Sequence, residues 1–213
     1  MDENGKEMCL NEKEKQVLWS GIRAFMYLLL TMGFIGFILY LSSIHKGHTF
    51  SENGIVENMQ LSLLLLSGII FFGQGMLAKD WRPLMFFLAS LCFLAGCREL
   101  DKVLDELISG LRWRVGFIFP LAAIIYALKH KETSRQNLFS FIGSSPFYLM
   151  FTALIIIFPI AQCIGHRPLI INVLGGNQMA ATKELFEECS EIMGYFLIFL
   201  ASIENYISFV RKK

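Results

Sequence analysis

The stretch Lys183–Phe209, KELFEECSEIMGYFLIFLASIENYISF, decides the fold, because its second half is apolar enough to enter a bilayer. Its first half crowds Glu184, Glu187, Glu188 and Glu191 into two helical turns. At about 100° per residue these four carboxylates fall near 0°, 300°, 40° and 340°, one stripe that continues into Gly194 and Tyr195. A helix dipole favours one or two carboxylates at an amino terminus. Four on one stripe repel one another, so the pattern calls for something positive facing them: Arg98, Lys102, a proton or a metal ion.

The rest of the chain has the same apolar character. Of its 213 residues 54% are hydrophobic and 17% charged, outside the range of ordinary water-soluble domains. Net charge is +1 with no basic stripe, which removes a nucleic-acid partner from consideration. Six stretches approach the roughly 20 residues that cross the hydrocarbon core, approximately 22–43, 56–77, 83–104, 115–129, 146–165 and 185–209. Continuous runs such as LSLLLLSGIIFF lack the alternation of a barrel strand, so the expected fold is all-α, a polytopic bundle of six transmembrane helices. The linkers are short, so residues 1–213 form a single integral membrane domain with residues 1–17 as a cytoplasmic tail. Pro159 predicts a kink in the fifth span.

Positive charge sets the direction. With both termini cytoplasmic, the inner segments carry twelve basic residues: Lys6, Lys13, Lys15, Arg23, Lys79, Arg82, Lys129, Lys131, Arg135, Arg211, Lys212 and Lys213. The outer segments carry seven: Lys46, Arg98, Lys102, Arg112, Arg114, Arg167 and Lys183. Outward segments contain no N-x-S/T acceptor, which directs the expectation to a bacterial inner membrane.

In this topology four span ends meet on the outer side and bring the polar residues with them. Glu57 and Gln60 open the second span, on one face with Ser67 and Gln74. Arg98, Glu99 and Asp101 close the third, Gln162 and His166 the fifth, and the glutamate stripe opens the sixth. Arg98 falls within the hydrocarbon boundary, where an unpaired guanidinium costs at least about 2.5 kcal/mol on insertion scales, so a carboxylate partner is expected. Glu204 and Asn205 are expected to reach water or headgroups at the opposite surface.

Three functions compete for these residues. The leading one is a site for a cation, a proton or a small charged ligand, built from Glu57, Gln60, Arg98, Glu99, Asp101, Glu184, Glu187, Glu188 and Glu191, for binding or transport. Its metal version, with a divalent ion as cofactor, takes His166, Glu187, Glu188 and Glu191 as ligands. The second is a membrane-embedded hydrolase or transferase acting on a lipid or lipid-linked substrate. There a carboxylate or His166 is the base and Arg98 binds phosphate or a lipid headgroup. The third is a structural or assembly protein that uses the network to lock its helices together. HExxH, GxSxG, P-loop, GxGxxG and EF-hand patterns are all missing, so the corresponding hydrolase, nucleotide and calcium chemistries have no support. The five cysteines form no CxxC; Cys163 and Cys189 fall on the same side, where a disulfide could join them. His45 and His48 share one outer loop at a metal-compatible spacing.

Overall fold

The computed structural model describes residues 11–44, 54–101, 104–105, 112–161 and 179–210, without the side chains of 12, 13, 16, 112 and 179–184. The described residues form helices and the turns between them, with no strand. They are α1 (Glu12–Ile44), α2 (Ile55–Leu77), α3 (Arg82–Glu99), a 3₁₀ turn (Arg112–Phe117) leading into α4 (Ile118–Lys129), α5 (Lys131–Ile142), α6 (Ser145–Ile155) with a π turn (Ile156–Ile160), and α7 (Met179–Val210).

The chain is built from membrane-type helices. Val17–Ile44, Ile55–Leu77 and Leu185–Val210 are long and apolar enough to cross a bilayer, and the α5–α6 pair, bent by 80°, makes a fourth candidate. Three or four candidates, rather than six, therefore pass on length and composition among the described residues. The differences from expectation are local. In the third stretch the continuous α-helix breaks at Leu100, and Asp101, Leu104 and Asp105 are again helical. In the fourth, the continuous α-helix is only 12 residues, about 18 Å, because its start is wound as 3₁₀. The linker after Lys129 holds an additional helix, α5, whose buried Asn137 and Phe141 face the bundle. Pro159, which has no N–H to donate, sits in the π turn.

Packing follows side-chain size. The core joins Leu64 and Phe71 of α2, Met85 and Leu88 of α3, Met150 and Ala153 of α6, and Ile198 and Ala201 of α7. Lipid tails supply no hydrophobic drive between helices, so close approach depends on small residues. A Cβ at Gly194 would run into the Ile157 side chain and lie 3.3 Å from the Ala153 carbonyl oxygen, so α7 presses on α6 here. An aromatic column of Phe72, Phe86 and Tyr126 ties α2, α3 and α4, with ring centroids 5.0 and 5.9 Å apart. By contrast α1 is peripheral: 6% of its apolar window is buried, and Phe34 stacks on Phe196 of α7 at 4.2 Å. Large apolar side chains such as Phe25, Leu28 and Tyr40 are exposed along it, a surface suited to lipid rather than water.

The two ends of the bundle gather different segments. One collects the start of α1, the Ala78–Trp81 turn, the α5–α6 turn and the end of α7. The other collects the end of α1 with the start of α2 and the first third of α7, where Ile38, Val56 and Ile192 pack together.

Candidate functional site

At this second end α2, α3 and α7 bring their polar residues into contact. Arg98, in the last turn of α3, reaches across to α7, and its Nη2 donates to Glu191 Oε2 at 2.7 Å. The same Nη2 lies 3.1 Å from Glu99 Oε1, and Nε donates to that oxygen at 3.2 Å. Tyr195, one turn below Glu191, donates its hydroxyl to Glu99 Oε1 at 2.8 Å. A buried carboxylate oxygen thus collects donors from two helices, which fixes the rotamers of all four residues.

The α2 side is held by Gln60, only 1% exposed, whose Nε2 donates to Glu188 Oε2 at 2.8 Å and approaches the Glu188 carbonyl at 3.5 Å. Glu188 also feels the charges of Glu191, Glu99 and Glu187. Arg98 keeps 38% of its side chain accessible, whereas Glu191 is buried and Glu99 keeps 9%. Among the described residues Glu99 and Glu191 share the Arg98 guanidinium, while Glu188 beside them is held by the neutral Gln60 amide.

The remaining expected members divide into distinct groups. Glu57 and Glu187 are half-buried and each has an interaction of its own. Asp101 serves the backbone instead, since its Oδ1 accepts the Trp113 backbone N–H at 2.9 Å and so caps the 3₁₀ turn that starts the next helix. Glu184 is helical in its backbone, and its side chain lies outside the described residues. His166, Gln162, Cys163, His45, His48 and Lys102 lie outside the described residues altogether. Among the described residues, no three His, Cys, Asp or Glu side chains gather as a metal-ligand set.

A second polar cluster, near the opposite end, was not expected from the sequence. Glu204 is 1% exposed rather than wetted: it takes Arg23 Nε of α1 at 3.1 Å and the Tyr27 hydroxyl. Asn205 likewise turns inward, donating to Gln74 Oε1 and lying 3.2 Å from Met85 Sδ, while Gln74 Nε2 donates to the Ser202 carbonyl at 3.0 Å. The signal was present, since an acidic residue six positions from the end of an apolar helix needs a partner, and Arg23 is the basic residue at matching depth in α1. Counting Arg23 only as a topology charge hid it.

Comparison with protein-family models, with curated proteins and with solved structures gives no match.

Proposed function

We propose that this chain is a six-helix integral membrane protein, both termini cytoplasmic, whose outer polar cluster binds a proton or a small cation as a binding or transport site. Glu57, Gln60, Arg98, Glu99, Glu184, Glu187, Glu188 and Glu191 belong to the proposed site, with Glu188 and Glu191 as the acceptors. The observation that carries the reading is the charge imbalance among the described residues of the cluster: Glu99 and the buried Glu191 share one guanidinium, and Glu188 has only the neutral Gln60 amide. Buried charge is tolerated in a membrane only when neutralised, and a proton or cation does that for the carboxylates Arg98 leaves over. The partly exposed Arg98 stands over Glu191 as an electrostatic gate that a cation displaces or a charged ligand engages.

The six-crossing topology draws support from geometry as well as charge. α3 is about 27 Å long by its 18 residues, and the 3₁₀ turn plus α4 adds about 12 Å to about 18 Å, close to the hydrocarbon thickness of about 30 Å. Lys79, Arg82, Lys129 and Lys131 flank the turns of one end, as expected for a cytoplasmic face, here that of a bacterial inner membrane.

The test is the full chain in liposomes with a trapped pH dye, challenged by proton and sodium gradients, with wild type compared with Glu188→Gln and Arg98→Ala. Ion-dependent flux or dye response that Glu188→Gln abolishes while the protein stays folded supports the site. Absence of any ion response, with Arg98→Ala lowering only thermal stability, would instead support the helix-lock reading, which the Arg98 bridge between α3 and α7 also favours.

A further inference from the structure

Between α1 and α6, at the Arg23 end of the bundle, lies a groove of about 420 Å³ whose floor is Leu197 and Glu204 of α7. Its α1 wall runs from Ser20 to Thr31, a rise of about 16 Å, and its α6 wall from Ser145 to Thr152. Ser20, Arg23, Ser145 and Glu204 stand at one end, Leu28, Leu149 and Leu197 lead away from it, and Thr31 and Thr152 close the far end with their hydroxyls bonded to their own helices. Arg23 is held by Glu204 through Nε, yet its Nη1 is buried and has no hydrogen-bond partner among the described residues. About 22% of the Arg23 side chain stays accessible, and it lines the groove.

These features together describe an amphiphile. The part of the Arg23 side chain that stays accessible lines the groove, and an anionic oxygen is the partner a guanidinium suits best. Beyond Arg23 the α1 wall rises about 12 Å to Thr31, enough for most of one acyl chain in a leaflet about 15 Å thick. α1 meets the bundle chiefly along α7, which leaves the space between it and α6 open to the side, where lipid enters. We infer that this groove is a binding site for a glycerophospholipid of the leaflet at the Arg23 end, its phosphate on Arg23 and one acyl chain along Leu28, Leu149 and Leu197. The bound lipid completes the packing of α1, which the protein alone leaves loose.

The test uses native mass spectrometry of the full chain released from detergent. It is titrated with palmitoyl-oleoyl-phosphatidylglycerol and, separately, with a diacylglycerol of the same chains, which lacks the phosphate. Thr152→Trp fills the groove from an exposed position without touching the Arg23–Glu204 pair, Arg23→Gln removes the charge, and Leu121→Trp on exposed α4 surface is the control. Expected are one retained phospholipid in wild type and in Leu121→Trp, weaker retention of diacylglycerol, and apparent affinity lowered about tenfold or more by Thr152→Trp and by Arg23→Gln. Wild-type affinity in Thr152→Trp overturns the site, and equal retention of diacylglycerol overturns the phosphate contact. If Arg23→Gln fails to fold, Thr152→Trp and the headgroup comparison decide without it.

Discussion

Replacing Arg98 with Ala tests the Arg98–Glu191 cluster most directly. Glu191 is buried with 7% of its side chain accessible, and its contact to Arg98 is short, at 2.7 Å. Removing one partner of a fully buried pair costs about 3 to 5 kcal/mol, because the other charge is left without compensation. Arg98 is itself 38% exposed, so water already screens part of the interaction, and the expected loss is about 2 to 3 kcal/mol. Glu191→Gln alone should cost less, since the amide oxygen still accepts from Arg98. In the double variant the pairwise term disappears, and we expect a coupling of about 1 to 2 kcal/mol. The assay is unfolding in mixed micelles titrated with SDS, followed by far-UV circular dichroism for the four members of the cycle. A coupling below about 0.5 kcal/mol, the usual limit of additivity, would refute the claim that these two side chains hold α3 to α7.

Two further substitutions probe what surrounds the site. Gly194→Val drives a branched side chain into Ile157 and the Ala153 backbone; it should cost about 1 to 3 kcal/mol or more in thermal unfolding, whereas Gly73→Ala, with open space around its Cβ, should change packing little. Asp101→Ala removes the cap on Trp113 and should cost about 1 kcal/mol, with faster hydrogen exchange at residues 113–116 and no effect on ion response if Asp101 serves the turn rather than the ligand.

Much of the arrangement was legible in the chain. Of the stripe formed by Glu184, Glu187, Glu188 and Glu191, the structure turns Glu188 to Gln60 and Glu191 to Arg98, and the need to neutralise Arg98 foretold a carboxylate partner, which proved to be Glu191 with Glu99 beside it. The face formed by Gln60, Ser67 and Gln74 is buried along α2, as its periodicity implied. The role of Asp101 was not legible, because an aspartate near a span end reads the same whether it faces a ligand or a backbone N–H. The inward turn of Glu204 and Asn205 was missed because a depth estimate counts residues along one helix, while burial depends on which neighbour covers that face. Helix α5 was missed for a related reason: its polar composition reads as a loop until the bundle end is there to receive Asn137 and Phe141.

The sequence by itself determined that the chain is helical and apolar enough for a membrane, because hydrocarbon length and backbone satisfaction act on each segment alone. It also determined which faces carry charge, since helical periodicity is a local property. Only the tertiary structure decided the partners: Arg98 with Glu191, Gln60 with Glu188, Arg23 with Glu204. Pairing depends on the relative rotation and depth of two helices, and that is set where small residues such as Gly194 let backbones meet, across distances no single segment encodes.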